Sequence, residues 1–261
     1  MKRLLLSSAC LVALSALTAA PVLAAAITVD GAYDHYDFGN GGGHAEGFDV
    51  NAAANVSLPW SNLSAEFDLG DDGIGGRHTF DAGGGVVWTD PDFRLAGTAT
   101  YNRGSTFGIH LEETTIGGGG EWYPSDWVTL GVHGGAIAGN FAGGFASGAV
   151  KGYVMPDLSV EGFATFSDWK VTGFKVVSET DFGAKGEFLV SEDIPLTIQG
   201  GYTHQQVSGF GGPPFDTHDN VFSVGLKLYL DTSSAPGTLI QHNRTGTLDT
   251  IAPIHPLWFS F

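Results

Sequence analysis

The chain has 261 residues, 43% hydrophobic and 15% charged, and its 28 Asp and Glu against 11 Lys and Arg give a formal charge of −17. That acidity excludes nucleic acid as a partner, because binding a polyphosphate requires Lys and Arg to displace its counterions. Beyond the first two dozen residues no apolar run exceeds a few residues, which excludes a bundle of membrane helices of about 20 residues each.

Lys2 and Arg3 open a basic region, Leu4 to Leu17 is apolar, and Val22-Leu23-Ala24 suits a signal-peptidase site. Residues 1–24 are therefore expected to be a signal peptide, removed on export. Cys10, the one cysteine, leaves with it, so the mature chain has no disulfide, thiol nucleophile or thiolate metal site. Lys2 and Arg3 leave too, and the remaining 9 basic and 28 acidic residues give 9 − 28 = −19.

From Ile27 to Leu230 the chain alternates apolar and polar residues in short segments. After a first strand, Ile27 to Phe38, the residues Phe48, Val50, Ala52, Ala54, Val56 and Leu58 alternate with Asp49, Asn51, Ala53, Asn55 and Ser57, the period of a half-buried strand. Its length suits a tilted crossing of a bilayer. The turn Pro59-Trp60-Ser61-Asn62 leads to a run with Leu63, Ala65, Phe67 and Leu69 on one face. Phe80 to Trp88 and Phe93 to Tyr101 repeat the pattern around Thr89-Asp90-Pro91-Asp92. Further strands are expected at Phe107–Tyr123, Val128–Ala138, Phe145–Val154, Leu158–Phe166, Phe182–Val190, Leu196–His204 and Val221–Leu230. Thr114 to Gly120 breaks the alternation of the first of these, and its glycines mark an expected bulge.

The punctuation is of two kinds. Short turns at 59–62, 89–92, 123–127, 155–157 and 191–195 carry Pro, Asp or Ser, which preset φ or cap the turn. Gly39–Gly47, Asp71–Arg77, Asn140–Gly144, Asp168–Thr180 and Ser208–Asn220 read as longer loops. Short turns on one side and long loops on the other are the signature of an antiparallel up-and-down transmembrane β-barrel, with the short turns periplasmic and the loops extracellular. The strand count is about twelve, an even number that leaves both ends of the barrel on one side. Trp60, Trp88, Tyr123, Trp127 and Tyr153 lie beside the short turns, where an interfacial aromatic girdle belongs. The set Phe222, Val224, Leu226, Leu228 and Leu230 is uncharged and is expected to face lipid.

The leader, the alternating hairpins, the run Gly118-Gly119-Gly120-Glu121-Trp122-Tyr123 and the terminal Leu257-Trp258-Phe259-Ser260-Phe261 resemble a small porin-like outer-membrane protein of a Gram-negative bacterium. The resemblance is one of pattern over the mature chain. It implies Leu257, Phe259 and Phe261 as a signal read by the barrel assembly machinery, and outer-membrane lipid and lipopolysaccharide as surroundings. In that group the signal ends the last strand. Here residues 231–261 follow it, with Pro236, Pro253 and Pro256 among them, and proline cannot donate to a ladder. This C-terminal extension is open to four placements: free in the periplasm, folded into the lumen, in contact with a subunit or envelope protein, or paired at the barrel edge. Tucking against or into the periplasmic mouth is favoured, since its apolar residues would otherwise be solvated.

With residues 25–230 as a barrel and the larger apolar sets outward, Asp49, Glu66, Asp68, Asp81, Glu112, Glu161 and Glu187 line the interior opposite Arg94, Lys151, Lys185 and Lys227. A barrel of eight strands is filled by side chains and one of sixteen leaves an aqueous channel, so about twelve lies between. The expected function is a narrow passive diffusion channel for small polar solutes or ions, with a mild cation preference from the acidic interior. The competing reading is a structural barrel, a subunit of a larger envelope assembly with little or no conductance.

Catalysis is not expected. His204 has no Ser two residues after it, where an outer-membrane phospholipase would place one, and the Asp-His groupings of an outer-membrane protease, Asp216, His218 and Asp219 in one loop and Asp34 with His35 in the first strand, arise easily in an acidic chain with nine histidines. The nine histidines show no His-x-His or HExxH spacing. Asp68-Leu69-Gly70-Asp71-Asp72-Gly73 is rich in oxygen donors but lacks the calcium-loop pattern, so neither metal nor cofactor is expected.

Overall fold

A computed structural model describes residues 25–248 apart from 40–41, 59–60, 75–76, 107–108, 172–175, 192–194, 210–216 and 232–236. The expected signal peptide, residues 1–24, and the residues expected to form an assembly signal, Leu257, Phe259 and Phe261, lie outside the described residues. Twelve strands close into a barrel: β1 (Ala25–Phe38), β2 (Gly43–Ser57), β3 (Leu63–Ile74), β4 (Arg77–Asp90), β5 (Phe93–Thr106), β6 (Ile109–Ser125), β7 (Val128–Gly139), β8 (Phe141–Met155), β9 (Leu158–Val171), β10 (Val176–Ser191), β11 (Leu196–Ser208) and β12 (Thr217–Asp231).

Each strand pairs antiparallel with its neighbours in sequence, and β1 pairs with β12 from Ala26↔Asp231 to Phe38↔Asp219. Closure leaves no strand edge, which is what lets a sheet span a membrane without exposed backbone donors. The period-two pattern sends Phe67, Val86, Leu95, Ile116, Val132, Val150, Val160, Phe188, Ile198 and Val224 to the outer surface. Trp88, Trp122 and Trp127 are exposed near the short turns, and the Trp88 ring meets the Phe93 edge at 5.1 Å.

At the short turns side chains cap the reversal. Leu63 N–H donates to Ser61 Oγ at 3.2 Å, and Trp127 N–H donates to Ser125 Oγ at 3.3 Å. The three register shifts, at Trp122/Ser125, Tyr153/Met155 and Leu189/Ser191, all fall at this end.

Four expectations are corrected. The glycine run of β6 is no bulge: pairing with β5 is unbroken from Phe93↔Trp122 to Thr106↔Ile109, because glycine lacks a side chain without changing the pleat. Much of the expected loop sequence is strand, since β3 runs to Ile74 with β4 starting at Arg77, and Asn140 alone separates β7 from β8. Asp68 to Gly73 is likewise strand. Tyr123 and Tyr153 are buried and face inward rather than joining an outer girdle.

After β12 comes a short helix, α1 (Leu239–Thr245). Thr238 is its N-cap in a capping box: Gln241 N–H donates to Thr238 Oγ1, and Thr238 N–H donates to Gln241 Oε1 at 3.0 Å.

Candidate functional site

The inward-facing residues divide into two levels. Nearer the short turns, acids and bases are paired. Lys151 Nζ lies 3.3 Å from Glu161 Oε2, and Lys185 Nζ lies 3.3 Å from Glu161 Oε1. Arg94 and Glu121 approach to 3.6 Å with side chains only 2% exposed each. Glu187 Oε1 accepts from Thr197 Oγ1 at 2.8 Å and from the Tyr229 hydroxyl at 2.6 Å, and Lys227 sits over the Tyr229 ring. Ions this deeply removed from water persist only with such partners.

Nearer the loops the balance is lost. Asp34, Asp49, Asp72, Asp81, Glu113, Glu179, Asp181 and Asp219 lie on the inward positions of their strands, and among the described residues the one Lys or Arg on an inward register position at this level is Arg77, at the start of β4 opposite Ile74. Glycines make room for some acids to lie along the wall. A Cβ on Gly83 would stand 2.4 Å from Asp68 Oδ2, and one on Gly70 would stand 2.2 Å from Asp81 Oδ1. On the β7 to β10 side, Ile137, Phe141, Phe145, Trp169 and Val177 form a buried apolar cluster inside the barrel.

The tail lies in the mouth at the short-turn end. Leu239 is wholly buried against Leu189 and Tyr229, while Leu248 is buried against Val87 and Ala96. Since β10 and β12 stand opposite β4 and β5 in the ring, residues 239–248 cross the mouth from wall to wall. The His242 ring stacks on Tyr229 at 4.9 Å, and Asn243 Oδ1 lies 2.8 Å from the Tyr229 hydroxyl oxygen. Arg244 lies over the Tyr123 ring at 4.6 Å and donates to Ser125 O at 2.6 Å. Arg94 donates to Gly246 O at 2.8 Å, close to the carbonyl end of α1, where the helix dipole favours a cation. Leu248 N–H lies 3.1 Å from both oxygens of Glu66, and Thr247 Oγ1 lies 3.0 Å from Thr28 Oγ1.

No protein-family model matches the chain, and no curated protein matches it. Among solved structures, an outer-membrane channel from Pseudomonas putida F1 matches with a TM-score of 0.58 at 10% identity, over 80% of this chain and 96% of that one. The NanC porin matches with a TM-score of 0.56 at 12% identity, over 78% of this chain and 100% of the porin. The CymD monoaromatic hydrocarbon channel matches with a TM-score of 0.50 at 6% identity, over 79% and 88%. This chain has the fold of a porin-like outer-membrane β-barrel. At these identities the likeness concerns the fold alone.

On that porin-like barrel the residues expected to line the interior fall as follows. Asp49, Glu66, Asp68, Asp81, Arg94, Lys151, Glu161, Lys185, Glu187 and Lys227 occupy inward positions. Glu112 does not: it is half exposed on the outer face, 3.7 Å from Arg103, and its neighbour Glu113 takes the inward place. Two adjacent glutamates must face opposite ways on a strand, and the glycines that follow carry no apolar pattern to say which. Glu66 and Arg94 contact the tail and line no open passage. Residues missed by pattern reading include Tyr229, Glu121 and the whole segment 238–248. A sequence signal for α1 was there in Thr238-Leu239-Ile240-Gln241, the spacing of a capping box.

Proposed function

We propose that this protein is a channel of the bacterial outer membrane, passing small polar solutes or ions with a cation preference, and that its tail seals the periplasmic mouth in the resting state. The observation that carries this reading is the upper interior: eight inward acids against a single inward-register cation, Arg77, at that level among the described residues. An acidic passage walled by low-dielectric material concentrates cations and repels anions. The apolar outer surface supports a lipid surround, with export by the leader 1–24 and recognition of Leu257, Phe259 and Phe261 by the assembly machinery as parts of the same proposal.

The test is a planar-bilayer measurement on a chain lacking residues 232–248, with a salt gradient across the membrane. A reversal potential of the cation-selective sign is expected, moving towards zero in an Asp34→Asn/Asp49→Asn/Asp72→Asn/Asp81→Asn variant. No conductance at high protein loading would overturn the channel. The buried seal across the mouth favours one second reading, a structural barrel of an envelope assembly with the extension as its contact. That reading expects a silent barrel whose partner or oligomer is lost when the extension is removed.

A further inference from the structure

On the outer face at the loop end, one arrangement of side chains occurs twice. In the first copy, Tyr33 and His35 share the outer face of β1, and His35 stands opposite Glu46 of β2. His35 Nδ1 lies 3.2 Å from Glu46 Oε1, and the Tyr33 hydroxyl donates to Glu46 Oε2. His44, two residues from Glu46 towards the loop, brings its ring to 5.9 Å from that of His35. In the second copy, Tyr202 and His204 repeat the spacing on β11, and His204 stands opposite Asn220 of β12. His204 Nδ1 lies 3.0 Å from Asn220 Oδ1, and the Tyr202 hydroxyl donates to the same oxygen at 2.7 Å. His218, two residues from Asn220 towards the loop, has its ring 6.2 Å from that of His204. A Cβ on Gly39 would collide with the His218 ring, so the glycine leaves room for it. Because β12 pairs with β1, both copies lie in one sector of the barrel.

In each copy an oxygen that only accepts holds the Nδ1 of one imidazole. That nitrogen is therefore the donor, and the neutral ring keeps Nε2 as a lone pair. Metal-ligating histidines are held in this way, with one ring nitrogen bonded to an oxygen acceptor and the other left for the ion. The second imidazole stands at a fitting distance. With metal–nitrogen bonds of about 2.0–2.1 Å, two rings on one ion have their centres roughly 5 to 6.5 Å apart, and both pairs fall in that interval. Among the described residues no three His, Cys, Asp or Glu are grouped to hold a metal, so each ion would take two protein nitrogens and complete its shell with water. Both pairs form across strands, which is why no His-x-His spacing shows them in the sequence.

We propose that His35 with His44, and His204 with His218, are two sites for a divalent transition-metal ion of the Zn2+ class on the outer face of the barrel. Glu46 and Asn220 are the positioning residues. Imidazole ligands select such ions over Ca2+ and Mg2+, which take oxygen donors. The sites face away from the lumen, so they stand or fall independently of the channel.

Titration calorimetry on the full chain, carrying no histidine tag and held in detergent micelles, tests the proposal with Zn2+ as the probe and Ca2+ as the oxygen-preferring control. Two Zn2+ ions per chain are expected, with Ca2+ at least a hundred-fold weaker. His44→Ala and His218→Ala should each remove one Zn2+, and the double variant both. Glu46→Ala should weaken the first site about ten-fold and leave the second unchanged, while Glu46→Gln, which keeps an acceptor for His35 Nδ1, should restore most of the loss. His78→Ala, at an exposed position of β4 outside both copies, should change neither site. No Zn2+ binding by the unmodified chain, or equal affinity for Zn2+ and Ca2+, overturns the proposal, and this comparison needs no variant to fold. Two Zn2+ ions still bound by the His44→Ala/His218→Ala variant overturn it as well. Binding in micelles requires no flux, so the outcome leaves the channel reading to its own conductance test.

Discussion

Replacing Leu248 with alanine isolates the apolar part of the tail seal. The side chain is 5% exposed and packs on Val87 and Ala96 from β4 and β5. The backbone N–H that meets Glu66 survives the change, so the loss is confined to apolar contact. Truncating a buried leucine costs about 2 to 5 kcal/mol, and the lower half of that range suits a segment free to settle into the space. A cost of about 2 to 3 kcal/mol shifts a two-state equilibrium roughly 30- to 150-fold, here from sealed towards open. Leu248 belongs to no ladder, so the barrel should keep its own thermal midpoint. Leu239, wholly buried against Leu189 and Tyr229, anchors the other end, and Leu239→Ala should open the mouth by a similar factor. The assay is open probability in planar bilayers, with limited proteolysis of the tail as an independent signal. If both variants leave open probability and tail cleavage at the level of the unmodified chain, the segment is not a displaceable seal.

The oxygens of Thr28 and Thr247 are 3.0 Å apart, so a Thr28→Cys/Thr247→Cys pair in residues 25–261, which hold no cysteine, should form a disulfide that silences the proposed channel until dithiothreitol is added; gel mobility and conductance read the two states together. Lys151→Met should destabilise the barrel by about 3 kcal/mol, because it strips a buried partner from Glu161, whereas Lys185→Met, at a side chain 34% exposed, should cost less than about 1 kcal/mol. Equal unfolding midpoints for the two would contradict the burial argument. Val224→Lys places a charge on the outer face, where a position near the bilayer midplane costs about 2 to 4 kcal/mol. Refolding into vesicles should show that loss, and a neutral outcome would mean that this face of β12 does not meet hydrocarbon.

How much of this was legible in the sequence follows from what alternation encodes. A period of two assigns each residue to a face, so Phe67, Val86 and Val224 could be placed outside and Glu66, Lys151 and Lys227 inside from the order of letters alone. It fails where the letters stop alternating. At Glu112-Glu113 the following threonines and glycines are indifferent to face, and the outward place went to Glu112 through the register with β5. The extent of the strands was illegible for a related reason. Glycine and aspartate are poor strand formers in isolation, yet Gly70 and Gly83 sit in paired strands because neighbouring aspartates lie where their Cβ atoms would be.

Facing, moreover, is only one coordinate. Height along the barrel axis needs the register, and what stands in front of an inward residue needs the rest of the chain. Glu66 and Arg94 share a face with Asp49 and Asp81, but the first pair holds Leu248 and Gly246 while the second stands in the acidic upper half. The charges near the short turns are thus already neutralised, by one another and by the tail. A solute entering from the loop side meets an excess of acids first, eight against Arg77 among the described residues, whatever the balance below. On the proposed channel reading, ion preference is set at the upper level and conductance at the lower one. Substitutions that change selectivity should leave the seal intact, and substitutions that release the seal should leave selectivity unchanged.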